Sequence, residues 1–191
     1  MKSILIIVLF AFSLCDEKLG GFKRRSTKEN DLNINEAFIM AGNHYRKTKE
    51  DVDLDDLIRL TVYSNLVNGN NYKVTLIDSK AEVPSIQEYE IYIPLSNTKN
   101  EEKKILEFKE YEPSEGLIPF NEARFTLLEN QLYKFLKGTI EELNFISYLY
   151  PIKNDETSFY VINAYTDDGE HEYIVCQEIS SKEYYTFEKI K

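Results

Sequence analysis

The chain has 191 residues, and its 33 acidic and 23 basic side chains give a formal net charge of −10. Binding to nucleic acid or to an anionic membrane surface needs a basic patch, so we expect neither to be a partner of this acidic chain. The length is sufficient for one large or two small domains, each with an apolar core.

The first 15 residues have the pattern of a secretory signal peptide. Met1-Lys2-Ser3 is followed by an apolar run over residues 4–12 and then by Ser13-Leu14-Cys15, with small residues before the predicted cleavage point. The alternative is a membrane anchor, but the run is too short to span a bilayer comfortably. We therefore expect a secreted or endomembrane-lumen protein that begins at Asp16 and does not associate with a membrane.

The predicted new N-terminus contains Leu19-Gly20-Gly21 followed by Phe22. Paired glycines let a backbone approach a partner closely, because they carry no side chain. The alternative is a loose chain end, as termini usually are. Lys23-Arg24-Arg25 comes next and is predicted to be a solvated charge run, with a basic processing site as the alternative.

Residues 31–49 are predicted to form an amphipathic helix. Its apolar residues recur at i, i+3, i+4, i+7 and i+11 and share one face: Ile34, Ala37, Phe38, Ala41 and Tyr45. Asp31 or Asn33 can cap the N-terminus of this helix. His44 lies beside the apolar face without a second His or Cys at metal spacing, so we expect a partly exposed helix residue.

An acidic connector over residues 50–56 leads from the helix into a series of β-prone segments. It lacks the Gly and Glu of an EF-hand loop at the sixth and twelfth positions, so we expect a solvated linker and no metal. Strands are predicted at 57–67, 72–79, 86–94 and 103–110. Their short connections favour antiparallel pairing of neighbours.

Asn68-Gly69, between the first two of these strands, is a strong local signal for a β-hairpin, since both residues accept positive φ. The loop tip is small and uncharged, a shape suited to insertion into a narrow cleft. Pro94 and Leu95 begin the turn between the third and fourth strands. The alternative interpretation of Pro94 is an ordinary turn proline.

Two stretches of the first half recur 86 residues later. Ile34-Asn35-Glu36-Ala37 recurs as Phe120-Asn121-Glu122-Ala123, and Leu54-Asp55-Asp56-Leu57 recurs as Ile140-Glu141-Glu142-Leu143. Internal repetition of this kind predicts two units of one fold. The second unit is predicted to contain a helix at 121–137 that Gly138 ends, and strands at 142–150, 158–166, 172–179 and 184–190.

The expected fold is α+β: an antiparallel β-sheet wrapped on one α-helix, in two tandem copies. The domains would be residues 16–112 and 113–191, after a signal peptide at 1–15. At the repeat offset, Val67 becomes Lys153 and Gly69 becomes Asp155, and Pro151 stiffens the second tip. A stiff, charged tip is poor for entering a cleft, so the second copy is interpreted as degenerate.

The first unit resembles the cystatin family, whose members inhibit papain-like cysteine proteases. Asn65-Leu66-Val67-Asn68-Gly69 is similar to the family's Gln-x-Val-x-Gly hairpin, and Leu19-Gly20-Gly21 is similar to its apolar residue before an N-terminal Gly. Ala37, Ala41 and Tyr45 reproduce the spacing of its helix, and Pro94-Leu95 stands at its second inhibitory turn.

The resemblance implies a reversible protease inhibitor that blocks the active-site cleft with these three segments of the first domain. Cathepsin-like relatives of papain would be the partners, and no cofactor is implied. The alternative is a secreted, non-inhibitory protein-binding module of the same fold, since Asn65 stands where the family has Gln and the chain has no Trp.

Cysteine and histidine give little support for an enzyme. Cys15 leaves with the signal peptide, so the mature chain keeps Cys176 and has no intrachain disulfide. A nucleophile made of Cys176 and His171 is conceivable, but a buried inert Cys is usual in such a β-rich run. The remaining alternative for Cys176 is a disulfide between two chains, which would give a dimer.

Overall fold

The computed structural model describes residues 22–28, 30–49, 52–66, 70–82, 84–94, 101–113, 118–119 and 127–189. The predicted signal peptide, the segment Leu19-Gly20-Gly21, the loop Val67-Asn68-Gly69 and Leu95 lie outside these residues.

The described chain forms two antiparallel five-stranded sheets, and an α-helix connects the first two strands of each. The elements of the first sheet are β1 Lys23–Arg25, α1 Leu32–Thr48, β2 Leu57–Leu66, β3 Asn70–Asp78, β4 Ile86–Ile93 and β5 Lys104–Tyr111. Those of the second are β6 Ile118–Pro119, α2 Leu127–Thr139, β7 Phe145–Lys153, β8 Thr157–Thr166, β9 Gly169–Glu178 and β10 Tyr184–Lys189. Within each sheet, every strand pairs with its neighbours in sequence, so the prediction of an α+β fold with antiparallel sheets is confirmed.

Helix α1 forms where the sequence predicts it. The Asp31 carboxylate caps the helix by accepting from the backbone N–H of Asn33 at 2.8 Å and of Ile34 at 3.3 Å. The five predicted apolar side chains of the helix are all buried. They form one core with the facing side chains of β2, β3 and β4: Val62, Tyr72, Val74, Leu76, Tyr89, Ile91 and Ile93.

In the second sheet, two predicted strand boundaries are wrong. Strand β7 begins at Phe145 and not at residue 142, because Glu142 lies in a turn with a φ of 56°. The strand also continues past Pro151 to Lys153. Strand β6 pairs only with Tyr148 and Leu149, so among the described residues Pro151 has a neighbouring strand on one side alone, where proline is tolerated.

Two further predictions for the second unit, the start of β9 and the end of α2, are also wrong, and each concerns a glycine. Strand β9 begins at Gly169, three residues before the predicted start, because Thr166 pairs directly with Gly169 across a two-residue turn. Gly169 has a φ of +130°, which an L side chain rarely adopts. Gly138 does not end α2: the helix continues to Thr139, and the N–H of Ile140 still bonds the carbonyl of Leu136.

The two sheets pack against each other through the faces that their helices leave uncovered. The apolar core between them combines side chains of both sheets: Leu60, Ile77, Ile86, Ile152, Phe159, Val161, Ile174 and Cys176. A separate core lies between α2 and the opposite face of the second sheet, where Leu132 and Leu136 meet Ile162 and Val175. The described residues therefore form four layers in the order helix, sheet, sheet, helix.

Cys176 is completely buried in the core between the sheets. A buried Cys is the outcome that the β-rich run favours. A disulfide through Cys176 to a second chain would first need the two sheets to separate. The dimer stays a prediction to which this geometry lends no support.

Candidate functional site

The strand register places the described residues next to the three predicted binding segments at one end of the first sheet. Lys23 lies opposite Ser64 on β2, and β1 runs antiparallel to β2, so the chain before Lys23 extends toward the end of β2. Asn70 lies opposite Leu66 on one side and Ile93 on the other, so β2 ends, β3 begins and β4 ends in one row. We call this end of the first sheet the loop end.

The hairpin predicted from Asn68-Gly69 is supported by the pairing of its flanking strands. Strands β2 and β3 remain paired up to Leu66 and Asn70, so only three residues connect them. The connection is of the length that antiparallel hairpins commonly use. Val67, Asn68 and Gly69 themselves lie outside the described residues.

Two residues predicted to bind the protease, Asn65 and Pro94, are described by the structure and lie at the loop end. Asn65 pairs with Asn71 across the hairpin and is half-buried. Pro94 directly follows β4 and is also half-buried. The side-chain oxygens of Asn70 and Asn71 are enclosed and accept no hydrogen bond within the described chain. Enclosed acceptors without partners are uncommon in folded proteins, and these two stand beside the predicted binding loop.

The basic run after the glycines forms a strand, and its Lys23 and Arg24 side chains are exposed, in agreement with the prediction of a solvated charge run. Lys23–Arg25 forms β1 at the edge of the first sheet, because its backbone pairs with β2. The Arg25 guanidinium lies 3.6 Å from the Asp31 carboxylate and donates to the Ser64 hydroxyl at 3.4 Å. This strand ties the start of the described chain to the sheet, next to the loop end.

Sequence reasoning missed Lys73, a cation on the sheet face that carries the second sheet. Its ammonium lies 2.7 Å from the Glu156 carboxylate and 4.9 Å from the centre of the Phe22 ring. Burial is the largest single contribution to the pKa of Lys73 and lowers it. The hydrogen bond to Glu156 and the negative charge of Glu156 act in the opposite direction, and the net pKa is raised. A charged residue within the β-prone run of β3 was the only local signal for this contact.

The turn between β7 and β8, residues 154–157, packs against the first sheet. Asn154 is buried, and its side-chain oxygen accepts from the backbone N–H of Glu156 at 3.0 Å and of Thr157 at 2.6 Å. Its amide nitrogen donates to Glu88 of β4 at 2.6 Å. The repeat offset matches this region to the predicted binding loop of the first unit, but here it joins the two sheets.

Glu88 is a nearly buried carboxylate in this junction. Its pKa is raised, first because burial penalises the charged form and then because Glu156 is close. Lys73, Lys109 and a hydrogen bond from the Tyr111 hydroxyl oppose the shift. The junction between the sheets is therefore polar beside the loop end and apolar farther away.

The structure does not bring together the Cys176–His171 pair that was considered as a nucleophile. Cys176 faces the core between the sheets, whereas His171 lies opposite Ala164, whose side chain belongs to the core under α2. The two side chains therefore point to opposite faces of β9. Over the part of the chain that is described, no three His, Cys, Asp or Glu side chains come close enough to hold a metal. His44 is half-buried and packs between the rings of Tyr89 and Phe108.

Among the described helices, none is long and apolar enough to cross a membrane. No protein-family model matches the chain, and no curated protein matches it at a significant level.

Proposed function

We propose that the chain is a secreted, reversible inhibitor of papain-like cysteine proteases that enters the active-site cleft with the loop end of its first sheet. The observation that carries the proposal is the register of β1 to β4. It brings Lys23, Leu66 and Ile93 to the loop end, and each of these residues adjoins one of three segments of the chain. Those are the three segments that the cystatin resemblance assigns to protease binding.

The inhibitory mechanism would be occlusion without cleavage. Leu19, Gly20 and Gly21 would lie along one side of the protease cleft, with Val67-Asn68-Gly69 at its centre and Pro94-Leu95 on the other side. Gly20, Gly21 and Gly69 carry no side chain and would allow the backbone to approach the cleft closely. A short loop anchored on two paired strands loses less conformational freedom on binding than a free chain does. No peptide bond is presented to the catalytic cysteine, so the inhibitor is not consumed.

We also propose that the chain consists of two cystatin-like copies, residues 16–112 and 113–191, of which the second does not inhibit. The two sheets have the same strand order, and in both a helix joins the first two strands. The recurring segments at an offset of 86 residues lend further support. In the second copy the matching hairpin turn lies against the first sheet, which leaves Asn154 buried.

The proposal is tested by the inhibition of papain by residues 16–191 and by a Gly69→Glu variant. A bulky charge at the loop tip must be desolvated on entering the cleft, so we expect inhibition to weaken at least tenfold, which corresponds to about 1.4 kcal/mol. The matched control is Asn43→Glu, which adds the same charge at an exposed position of α1. The control should inhibit as the parent does.

Equal inhibition by the parent chain and the Gly69→Glu variant would remove the loop end from the mechanism. A complete lack of inhibition of papain and of cathepsin-like relatives would contradict the proposed function. It would favour the alternative, a secreted binding module, which the Asn at position 65 and the missing Trp allow.

A further inference from the structure

The turn of residues 154–157 reaches the N-terminal segment of the first unit through one side chain. Lys73 lies between the two, with its ammonium on the Glu156 carboxylate on one side and on the Phe22 ring on the other. The side chains of Lys73 and Glu156 are 21% and 31% exposed, so the ion pair is partly shielded from water. Partial shielding strengthens such a pair relative to one on an open surface.

Phe22 directly follows Gly21 in the chain, so a contact that holds Phe22 fixes the point to which Leu19-Gly20-Gly21 is attached. Strand β1, which comes next, has only three residue pairs with β2 and lies at the sheet edge. A strand this short has little backbone pairing of its own to keep it in place. The side-chain contacts around it therefore contribute a large part of its attachment.

A second contact from the same turn stabilises the partner of β1. Tyr63 of β2 lies opposite Arg24, and its hydroxyl lies 3.2 Å from the hydroxyl of Thr157. Both side chains are buried. The turn therefore contacts β2 directly and contacts the residue before β1 through Lys73.

We infer that Glu156, in the turn between β7 and β8, is a positioning residue for the N-terminal binding segment of the proposed inhibitor. Acting through Lys73 on Phe22, it holds β1 on the sheet and so fixes the end of the sheet from which the preceding segment leads. The second unit would then take part in inhibition without touching the protease. The inference rests on the proposed function, since it assigns Glu156 a role in positioning the loop end.

A purely structural role for the turn would have different consequences. The hydrogen bond from Asn154 to Glu88 joins the two sheets far from β1, and its loss would loosen the whole junction. The Glu156–Lys73 ion pair also joins the two sheets, but it continues through Lys73 to Phe22, so a change at Glu156 should open β1 more than it lowers global stability. The test must therefore measure β1 separately from global stability.

The test follows trypsin cleavage after Lys23, Arg24 and Arg25 in the folded full chain by mass spectrometry. Cleavage of a strand requires it to leave the sheet, so the rate reports how often β1 opens. We expect Glu156→Gln to raise this rate about two- to fivefold, the range for losing one such ion pair. The control is Asp155→Asn, which removes the same charge from the exposed neighbouring residue and should leave the rate unchanged.

A double-variant cycle tests the path through Lys73. Phe22→Leu removes the ring and should also speed cleavage in β1. If both residues act through Lys73, the double variant with Glu156→Gln is cleaved no faster than the faster single variant. Independent, multiplying effects of the two substitutions would overturn the proposed path, as would an unchanged cleavage rate for Glu156→Gln.

Papain inhibition then separates this inference from the proposed function. If the parent chain inhibits, Glu156→Gln should weaken inhibition by no more than its factor on cleavage, since affinity follows the fraction of chains in which β1 is on the sheet. Faster cleavage together with unaltered inhibition would overturn the positioning role. If the parent chain does not inhibit, the proposed function fails and the positioning role in inhibition fails with it. The cleavage rates would still show whether Glu156 holds β1.

Discussion

The buried carboxylate of Glu88, at the junction of the two sheets, makes the free energy of unfolding depend on pH. Burial and the nearby Glu156 raise its pKa, while Lys73, Lys109 and Tyr111 act in the opposite direction. Because the pKa in the folded chain lies above the ordinary value, the folded chain binds more protons than the unfolded chain in the window between the two values. The contribution of Glu88 to the free energy of unfolding therefore increases as the pH falls through that window.

This effect predicts a pH-dependent difference between the parent chain and Glu88→Gln. The free energy of unfolding of the parent minus that of the variant should rise as the pH is lowered from 7 toward the ordinary Glu pKa of 4.5, and then level off. Urea unfolding at a series of pH values measures this difference. A difference that is constant, or that falls toward acid pH, would contradict the assigned environment of Glu88.

Residue-level prediction from the sequence succeeded where the signal was local. The cap at Asp31 and the five buried residues of α1 follow from spacing along one helix. The contact of Lys73 with Glu156 joins residues 83 positions apart. No pattern within either segment indicates that the two side chains meet, so the candidate positioning residue could only be found in the structure.

At the scale of elements, the first sheet was predicted closely because each strand alternates or runs apolar between clear turn signals. Strands β2, β3, β4 and β5 lie within three residues of their predicted bounds. The second sheet was predicted less well, since a left-handed turn residue at Glu142 and a tolerated proline at Pro151 moved the ends of β7. Those ends depend on the neighbouring strands and not on local preference.

The cap of α1 provides a stability prediction at this scale. Asp31→Ala removes the acceptor for the N–H groups of Asn33 and Ile34 and should lower the free energy of unfolding by about 1 kcal/mol. Asp31→Asn is the control, because it keeps a side-chain acceptor at the cap and loses only the charge that faces Arg25. Thermal and urea unfolding of the three proteins would measure the ranking. Equal losses in both variants would show that the cap hydrogen bonds contribute little.

At the scale of the whole molecule, the main feature that sequence reasoning missed is the packing of the two sheets on each other. The expectation was two units, each with one covered sheet face. Strand β8 carries a signal for more, since Phe159, Val161 and their neighbours form a nearly continuous apolar run. Such a run is typical of a strand buried on both faces, and β8 has the core under α2 on one side and the core between the sheets on the other.

The packing of the two sheets gives the second sheet a role in the proposed function. It covers the face of the first sheet that its helix leaves open, and its β7–β8 turn meets that face near the loop end. The loop end itself is formed by β1 to β4 of the first sheet. The first unit would thus supply the loop end that binds the protease, and the second unit would support it.

Competition for the active-site cysteine of papain shows whether the loop end enters the cleft of the protease. Papain would be incubated with residues 16–191 and then with a peptide probe that labels that cysteine covalently. We expect labelling to slow in proportion to the bound fraction, and the chain to be recovered uncleaved after dissociation. Labelling at an unchanged rate in the presence of a large excess of the chain would contradict this expectation.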